Sequence, residues 1–444
     1  MLQVSHCWSA EATNSASRKP NVVLIIFDTL RADVLGSHGY DADTSPELDK
    51  IARRGVRMDR AISQSSWTRP SIGSMLTSRY PRSLGLYEEQ GEILSDGAVT
   101  LAEILKQYGY TTIGVTANPT INSAFNMDQG FDKYVDSHVV YSWMGVKKGE
   151  LDARSRKLMA ARELFRIAEE LVDASDAESP FYVQICAMEM HEYARRKHHL
   201  IRNRYLKAFG EEPLRVRRRY LQSLKQLSLD TEQFVNRLLL REDWENTLFT
   251  FVGDHGEGLD SHPSVSSSQF HGTHLYESLV HVPWILYSPT WNPVRHTIDR
   301  AVQLLDVLPT VLDFVDVPIP AGLEGVSLIP AISGKEPLSQ LPEHIIAETE
   351  FRNFSKKAVY GPDWYYIESE DNHPGTDSHE LQRIGGAADG RRTNKFKDHP
   401  EVVATLKSFL KNWDAQHPKA SPTPQTGELS DAVKEQLKSI GYLK

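Results

Sequence analysis

The residues with the greatest chemical capacity come as an adjacent pair, Asp254-His255, inside the run Gly253-Asp254-His255-Gly256-Glu257. A carboxylate oxygen and an imidazole nitrogen presented on one tight turn form a donor pair that hard and borderline divalent cations accept. The same pair also serves as a structural hydrogen-bonding group at a strand end. Asp28 opens Asp28-Thr29-Leu30-Arg31-Ala32-Asp33 directly after an apolar run, where it either joins such a cation or caps a helix. Thr68, in Ser66-Trp67-Thr68-Arg69-Pro70-Ser71, stands just ahead of a helical pattern at Ser71–Ser78. A helix start offers free N–H groups and the positive end of the dipole, which suits an anion. Alternatively Thr68 or Ser71 caps the first turn, with Pro70 near its first position. A hydroxyl in this place is a weak nucleophile that needs a neighbouring base or cation.

Such side chains need elements to hold them. Asn21–Phe27 (NVVLIIF) is continuously apolar and β-branched, the pattern of a strand buried on both faces, and it stops at Asp28. Thr247–Gly253 (TLFTFVG) stops in the same way at Asp254, and Phe181–Ala187 and Val282–Tyr287 are further buried strands. Helical patterns lie between them at Pro46–Arg54, Ser71–Ser78, Thr100–Tyr108, Leu151–Ala174, Leu221–Leu239 and Leu304–Phe314. Alternation of this kind implies an α/β domain over residues 21–339, with a central, mainly parallel sheet flanked by helices. Ligands collect at the carboxyl ends of such strands, where Asp28 and Asp254 sit. Beyond Gly334, short strands at Ile345–Thr349, Lys357–Val359 and Trp364–Glu368 and a helix at Pro400–Trp413 indicate a smaller α+β domain over 340–415. Pro418–Gly427 reads as a linker and Ser430–Ile440 as a terminal helix, within a final unit at 416–444.

Composition sets outer bounds. The chain has 444 residues, 40% of them apolar and 25% charged, with 8 Trp, as in an ordinary globular protein with a large core. A formal charge of −9 disfavours broad nucleic-acid binding. With Cys7 and Cys186 as the only cysteines there is no disulfide framework, and Cys186 reads as a small buried side chain. No apolar run is long enough to span a membrane. Residues 1–20 are polar, read as a disordered segment, and lack the apolar core of an export signal. Arg195–Arg219 is densely basic: either a solvated helical insertion or a lure for polyanionic substrates. His262 is a candidate for a second metal.

Taken together, these segments resemble the sulfatase family of the alkaline phosphatase superfamily. The order matches: NVVLIIFDTLRADVLGSHGY, SWTRPSIGSMLTSRYP, GYTTIGVTANP with MDQGFDKY, FYVQICAMEMHEY, NTLFTFVGDHGEG, HGTHLYESLVHVPWIL and LLDVLPTVLDFVDVPIPAGLEGVSL. The likeness covers residues 20–335, with weaker echoes in KDHPEVVATL and LKSIGYLK. It implies an alkaline phosphatase-like fold and one divalent cation (Ca, Mg, Mn or Zn) held by Asp28, Thr68, Asp254 and His255. Thr68 falls at the nucleophile position. His191 matches the substrate-facing histidine and Glu189 the acid just before it. His271 lies near the basic residue that touches the transferred group, with His274 as the alternative, and Arg69 joins the substrate-binding set.

The departures from the family carry information too. True sulfatases place Cys or Ser at the nucleophile position, followed by Pro two and Arg four residues on, and oxidise it to formylglycine. Here the positions read Thr68, Pro70 and Ile72, so no formylglycine is expected. Thr29 stands where many relatives carry a second Asp ligand, which leaves the coordination one carboxylate poorer. The resemblance then implies a metal-dependent hydrolase of sulfate or phosphate esters acting through a Thr nucleophile and a covalent intermediate. Phosphoester or phosphodiester chemistry is favoured slightly, because a threonine sulfate lacks the easy release of the formylglycine hydrate. The alternatives are a formylglycine-independent sulfuric ester hydrolase, a phosphoethanolamine-type transferase and a non-catalytic anion-binding relative. The substrate would be a small-molecule, glycan or lipid anionic ester. Family analogy places the protein in the periplasm or outside the cell.

Overall fold

The computed structural model describes residues 18–87, 92–143, 161–175, 178–192, 213–259, 261, 271–370, 377–385, 394–424 and 429–439. Cys7, His262, residues 195–212 of the basic stretch and residues 151–160 of the expected long helix lie outside the described residues.

Strand β1 (Asn21–Phe27) is buried at all seven positions. Its alternate residues feed two different cores, as a period of two requires. Val22, Leu24 and Ile26 pack with Ile72, Met75, Leu101, Leu105, Val307 and Val311 on one face. Val23, Ile25 and Phe27 pack with Leu48, Ile51, Leu164, Phe165, Leu224 and Phe234 on the other. Helices Leu101–Gln107 and Val307–Phe314, together with α2 (Thr68–Thr77), therefore cover one side. The other side carries α1 (Pro46–Arg54) and helices Ala161–Asp173 and Pro213–Leu238. The remaining strands are β2 (Val56–Ile62), β3 (Glu92–Ile93), β4 (Thr111–Thr116), β5 (Lys133–Val135), β6 (Phe181–Ala187), β7 (Thr247–Gly253), β8 (His281–Tyr287) and β9 (Thr297–Gln303). Eight of these strands form one sheet in the order β5-β4-β6-β1-β7-β8-β2-β9. It is parallel except at β8, which runs against both β7 and β2. The α/β expectation stands.

Register decides which residues meet. Phe27 lies opposite Ala187 on one side and Gly253 on the other. Thr116 of β4 lies opposite Cys186. The residues that follow, Asn118 after β4, Met188 after β6, Asp28 after β1 and Asp254 after β7, thus leave the sheet along one edge, about 4.8 Å apart from strand to strand.

A second sheet is an antiparallel meander of β10 (Ile345–Phe351), β11 (Phe354–Tyr360), β12 (Trp364–Ser369) and β13 (His379–Arg383). One face shares a core with Ile62, Leu275, Tyr276 and Leu279 of the main body. The other packs on Val403, Leu406, Leu410 and Trp413 of helix Pro400–Gln416. The presumed linker at 418–427 is in part pinned: Thr423 and Pro424 form β14 and pair with β3. Arg82 binds the two sheets together. Its backbone N–H and Nε donate to Glu348, and a terminal nitrogen donates to Asp414 at 2.7 Å and to the His417 carbonyl. Its guanidinium also lies 4.3 Å from the centre of the Trp413 ring.

The Arg82 and Glu348 side chains are 4% and 10% exposed, whereas the surface pair Arg57–Asp59 is 28% and 34% exposed. Arg82→Ala leaves a buried carboxylate uncompensated and is expected to cost about 3 kcal/mol. Arg57→Ala should cost less than about 1 kcal/mol. Urea unfolding midpoints test the contrast, and equal shifts for the two variants would show that Arg82 does not hold the second sheet in place.

Candidate active site

Asp28, Asp254 and His255 present donor atoms that lie within 4.8 Å of one another, and all three residues are buried. Asp254 is held by two backbone donors: the N–H of Thr29 at 3.0 Å and the N–H of His255 at 2.7 Å, both on Oδ1. A Cβ on Gly256 would collide with the Ser278 carbonyl, so the tight turn that aims this pair needs glycine there. Asp28 is no helix cap. The 3₁₀ turn downstream, Ala32–Val34, begins after Arg31.

Thr68 is the first residue of α2 rather than the residue ahead of it, and all ten residues of that helix are buried. Trp67 occupies the cap position and makes no capping bond with its side chain. Ser71 is no cap either: its hydroxyl donates to the Asp254 carbonyl at 2.6 Å, tying the helix start to the end of β7. Pro70 is tolerated in the first turn, where its missing N–H has no intrahelical acceptor. The Thr68 hydroxyl lies 3.2 Å from His255 Nε2 and accepts from Asn118 Nδ2 at 3.3 Å.

Asn118 is the site residue that sequence reasoning passed over. It emerges from β4 as Asp28 does from β1, and the run Thr111–Thr116 before it is the signal that could have found it. Its Oδ1 accepts the N–H and the hydroxyl of Thr120, at 2.8 and 2.7 Å. The amide group is thereby oriented so that Nδ2 donates to both Asp28 Oδ2 and Thr68 Oγ1.

The histidines divide. His255 Nδ1 is 2.9 Å from the Gly256 carbonyl, so it carries the proton and Nε2 offers a lone pair. Burial, with the neighbouring His271, lowers the His255 pKa to about 4, and the ring is neutral at pH 7. The His271 ring centre is 4.8 Å from that of His255 and 5.1 Å from that of His191. Its Nδ1 pairs with Glu257, a second residue without an assigned role in the sequence, at 3.4 Å. Burial opposes charge on His271, but the carboxylates of Glu257, Asp28 and Asp254 together outweigh it and raise the pKa. Glu189 and His191 follow β6 in a single helical turn. His274 stacks on Tyr276 with ring centres 5.2 Å apart and lies beside Phe354. Arg69 is buried, donates to the carbonyls of Thr120 and Glu92, and lies over the Phe125 ring. Of the expected residues, Asp28, Thr68, Asp254, His255, His271 and His191 gather, while Arg69 donates to the Thr120 and Glu92 carbonyls and His274 stacks on Tyr276.

Whether a cation fits is decided by atoms left over. Asp28 Oδ1 and Asp254 Oδ2 are buried and make no hydrogen bond to any described residue. His255 Nε2 faces them at 4.0 and 3.4 Å. Once both carboxyls are ionised, these three lone-pair atoms repel, and a divalent ion removes that repulsion. The donor set fits.

Burial, and after it the charge of the neighbouring Asp254, raises the Asp28 carboxyl to about 7. Burial also lifts Asp254 to about 7 against its two N–H donors. With pKa values above those of the unfolded chain, the metal-free fold holds two extra protons between the ordinary carboxylate range and pH 7. Their contribution to stability falls as pH rises through that window. The metal-free protein should therefore melt lower at pH 8 than at pH 5.5. A divalent cation at about a hundredfold excess over its Kd should restore about 2.7 kcal/mol at pH 8. A melting temperature at pH 8 that ignores chelator and cation alike would contradict this.

Comparison with known proteins agrees with the geometry. The sulfatase family model matches residues 20–317. An ulvan-active sulfatase of Formosa agariphila is 24% identical over 345 residues, 72% of this chain and 66% of that one. A Delta 4,5-hexuronate-2-O-sulfatase of Bacteroides thetaiotaomicron is 21% identical over 461 residues, 90% of each chain. Among solved structures, a phosphonate monoester hydrolase of Agrobacterium radiobacter superposes with a TM-score of 0.69 at 18% identity, covering 90% of this chain and 96% of that one. With the family matched across two strand ends, the helix start and the Asp-His turn, this chain belongs to the sulfatase family, whose members are hydrolases acting on ester bonds.

Proposed function

We propose that the chain hydrolyses sulfate or phosphate esters of an anionic small molecule, glycan or lipid, with Thr68 as nucleophile. Phosphoester and phosphodiester bonds are its better targets. The observation that carries this reading is the Thr68 hydroxyl at a helix N-terminus, 3.2 Å from His255 Nε2 and beside the partnerless oxygens of Asp28 and Asp254. Asp28, Asp254, His255 and the Thr68 hydroxyl would hold the cation. When bound, the cation supplies positive charge that stabilises an alkoxide, an effect of about 9 units on the pKa of a bound water.

Thr68 gives its hydroxyl proton to water, and Oγ then attacks phosphorus or sulfur in line, forming the Oγ–P or Oγ–S bond as the bond to the leaving oxygen breaks. Asn118 Nδ2 keeps the hydroxyl oriented through the approach. His271, whose pKa the neighbouring carboxylates raise, would face the negative equatorial oxygens. His191, beside His271, gives its proton to the leaving oxygen. Water then displaces Thr68 Oγ and regenerates the hydroxyl. Relatives named for ulvan and for hexuronate sulfate support an anionic glycan as the substrate class. The phosphonate monoester hydrolase shows that this fold also accommodates phosphorus chemistry.

The test compares the parent with Thr68→Ala on aryl phosphate, aryl phosphodiester and aryl sulfate across Ca, Mg, Mn and Zn. The parent should turn over at least one phosphorus substrate faster than the sulfate. Thr68→Ala should lose about 10³-fold or more in kcat, as removal of a covalent nucleophile does. Full activity in Thr68→Ala, or an inert parent that still binds the cation, would refute the assignment.

A further inference from the structure

A cleft of about 290 Å³ opens between α1 and helix Pro213–Leu238, over the end of β8. Tyr287 in its lining pairs with Phe249 of β7, five residues before Asp254. At about 3.3 Å per residue, that is about 17 Å along the strand from the catalytic edge, so the cleft is not part of the site above. A glycine fixes its shape. A Cβ on Gly55 would collide with the Leu286 carbonyl, and the end of α1 therefore lies directly against β8. Arg54 is thereby set over the Tyr287 ring, its guanidinium 4.9 Å from the ring centre. Arg53 and Arg54 are exposed and form no ion pair with any described residue. Their place in the last turn of α1 suits the helix dipole, but that explains neither the cleft nor its floor. The third cation in the lining, Lys50, pairs with Glu47, and the Glu232 carboxyl is hydrogen-bonded to Glu47 as well. Tyr287 is buried, and its hydroxyl makes no hydrogen bond with any described residue. A phenylalanine of the same shape would avoid the cost of such a hydroxyl.

We propose that this cleft is a second binding site, for a small organic anion that joins an oxyanion group to an apolar body. Its volume is near the lower end of small-molecule clefts, about 300 Å³. Two adjacent guanidiniums without carboxylate partners match the planar or tetrahedral oxygens of a carboxylate, sulfate or phosphate group. Ile51, Val235 and Leu239 line the place for the apolar body. Tyr287, the polar member of the floor, donates its hydroxyl to the bound oxyanion. A bare inorganic anion leaves the apolar lining unused, and a neutral aromatic leaves the arginines unused, so both bind more weakly.

Calorimetric titration of the full chain with naphthalene-2-sulfonate tests this, because a sulfonate has no ester bond to hydrolyse. The parent should bind it about tenfold or more tighter than inorganic sulfate or neutral 2-naphthol. Arg54→Gln should weaken binding about tenfold, and Tyr287→Phe about fivefold. Tyr287→Phe should unfold at a urea midpoint no lower than the parent's, since the hydroxyl it loses has no protein partner. His271→Ala, altered at the candidate active site, should bind the sulfonate like the parent. Parent-like affinity in Arg54→Gln, or binding lost in His271→Ala, overturns the proposal. An absence of binding overturns it too, as do equal affinities for sulfonate, sulfate and naphthol. Parent-like affinity in Tyr287→Phe beside weakened binding in Arg54→Gln overturns the role of the hydroxyl alone. None of these readouts depends on turnover, so they stand apart from the fate of the hydrolase reading.

Discussion

Asp28 and Asp254 bring carboxylate oxygens together with a histidine lone pair in a buried place. Two buried arginines of the adjoining segments bond to other groups: Arg31 to Asp33 and the Glu257 carbonyl, Arg69 to the carbonyls of Thr120 and Glu92. Desolvation of two such groups is worth several kcal/mol each unless opposite charge arrives. The surrounding structure spends its specificity on keeping them there. Strand register lines up their exits from the sheet, Asn118 ties Asp28 to Thr68, and Ser71 ties the start of α2 to the Asp254 backbone. The Thr29 backbone, strained at a φ of +59°, belongs to the same set of constraints, since its N–H is one of the two that fix Asp254.

The second sheet contributes at a distance. Gly272, next to His271, donates to the Ser66 carbonyl and accepts from the Thr349 hydroxyl of β10. Phe351 at the end of β10 packs on Trp67, the residue before Thr68. The meander therefore braces both the nucleophile's helix start and the segment that carries His271. Arg82 and Glu348, remote from the chemistry, form the buried part of the ionic joint that holds this brace, with Asp414 at its more exposed end.

Much of this was legible from apolar runs. The strands β1, β6 and β7 were read with their observed bounds, because burial on both faces leaves them almost wholly apolar, Asn21, Gln184 and two threonines excepted. Strands β2 (VRMDRAI) and β9 (TIDRAVQ) were missed for the opposite reason. They lie toward one edge of the sheet, several of their positions are partly exposed, and charges interrupt the pattern. β4 (TTIGVT) is short and threonine-rich, and with it went Asn118, whose role exists only through its register with β6. The roles of His271 and His274 could not be separated by spacing. The contact that marks His271, with Glu257, joins residues 14 apart in sequence and is tertiary.

The central claim is that one cation joins four side chains from three distant stretches of sequence. A crystal structure of Mn²⁺-loaded protein, with the ion placed by its anomalous signal, tests it most directly. The account predicts the ion within about 2.0–2.6 Å of Asp28 Oδ1, Asp254 Oδ2, His255 Nε2 and Thr68 Oγ1. An ion bound elsewhere, or one that leaves the Thr68 hydroxyl outside its coordination shell, would contradict it.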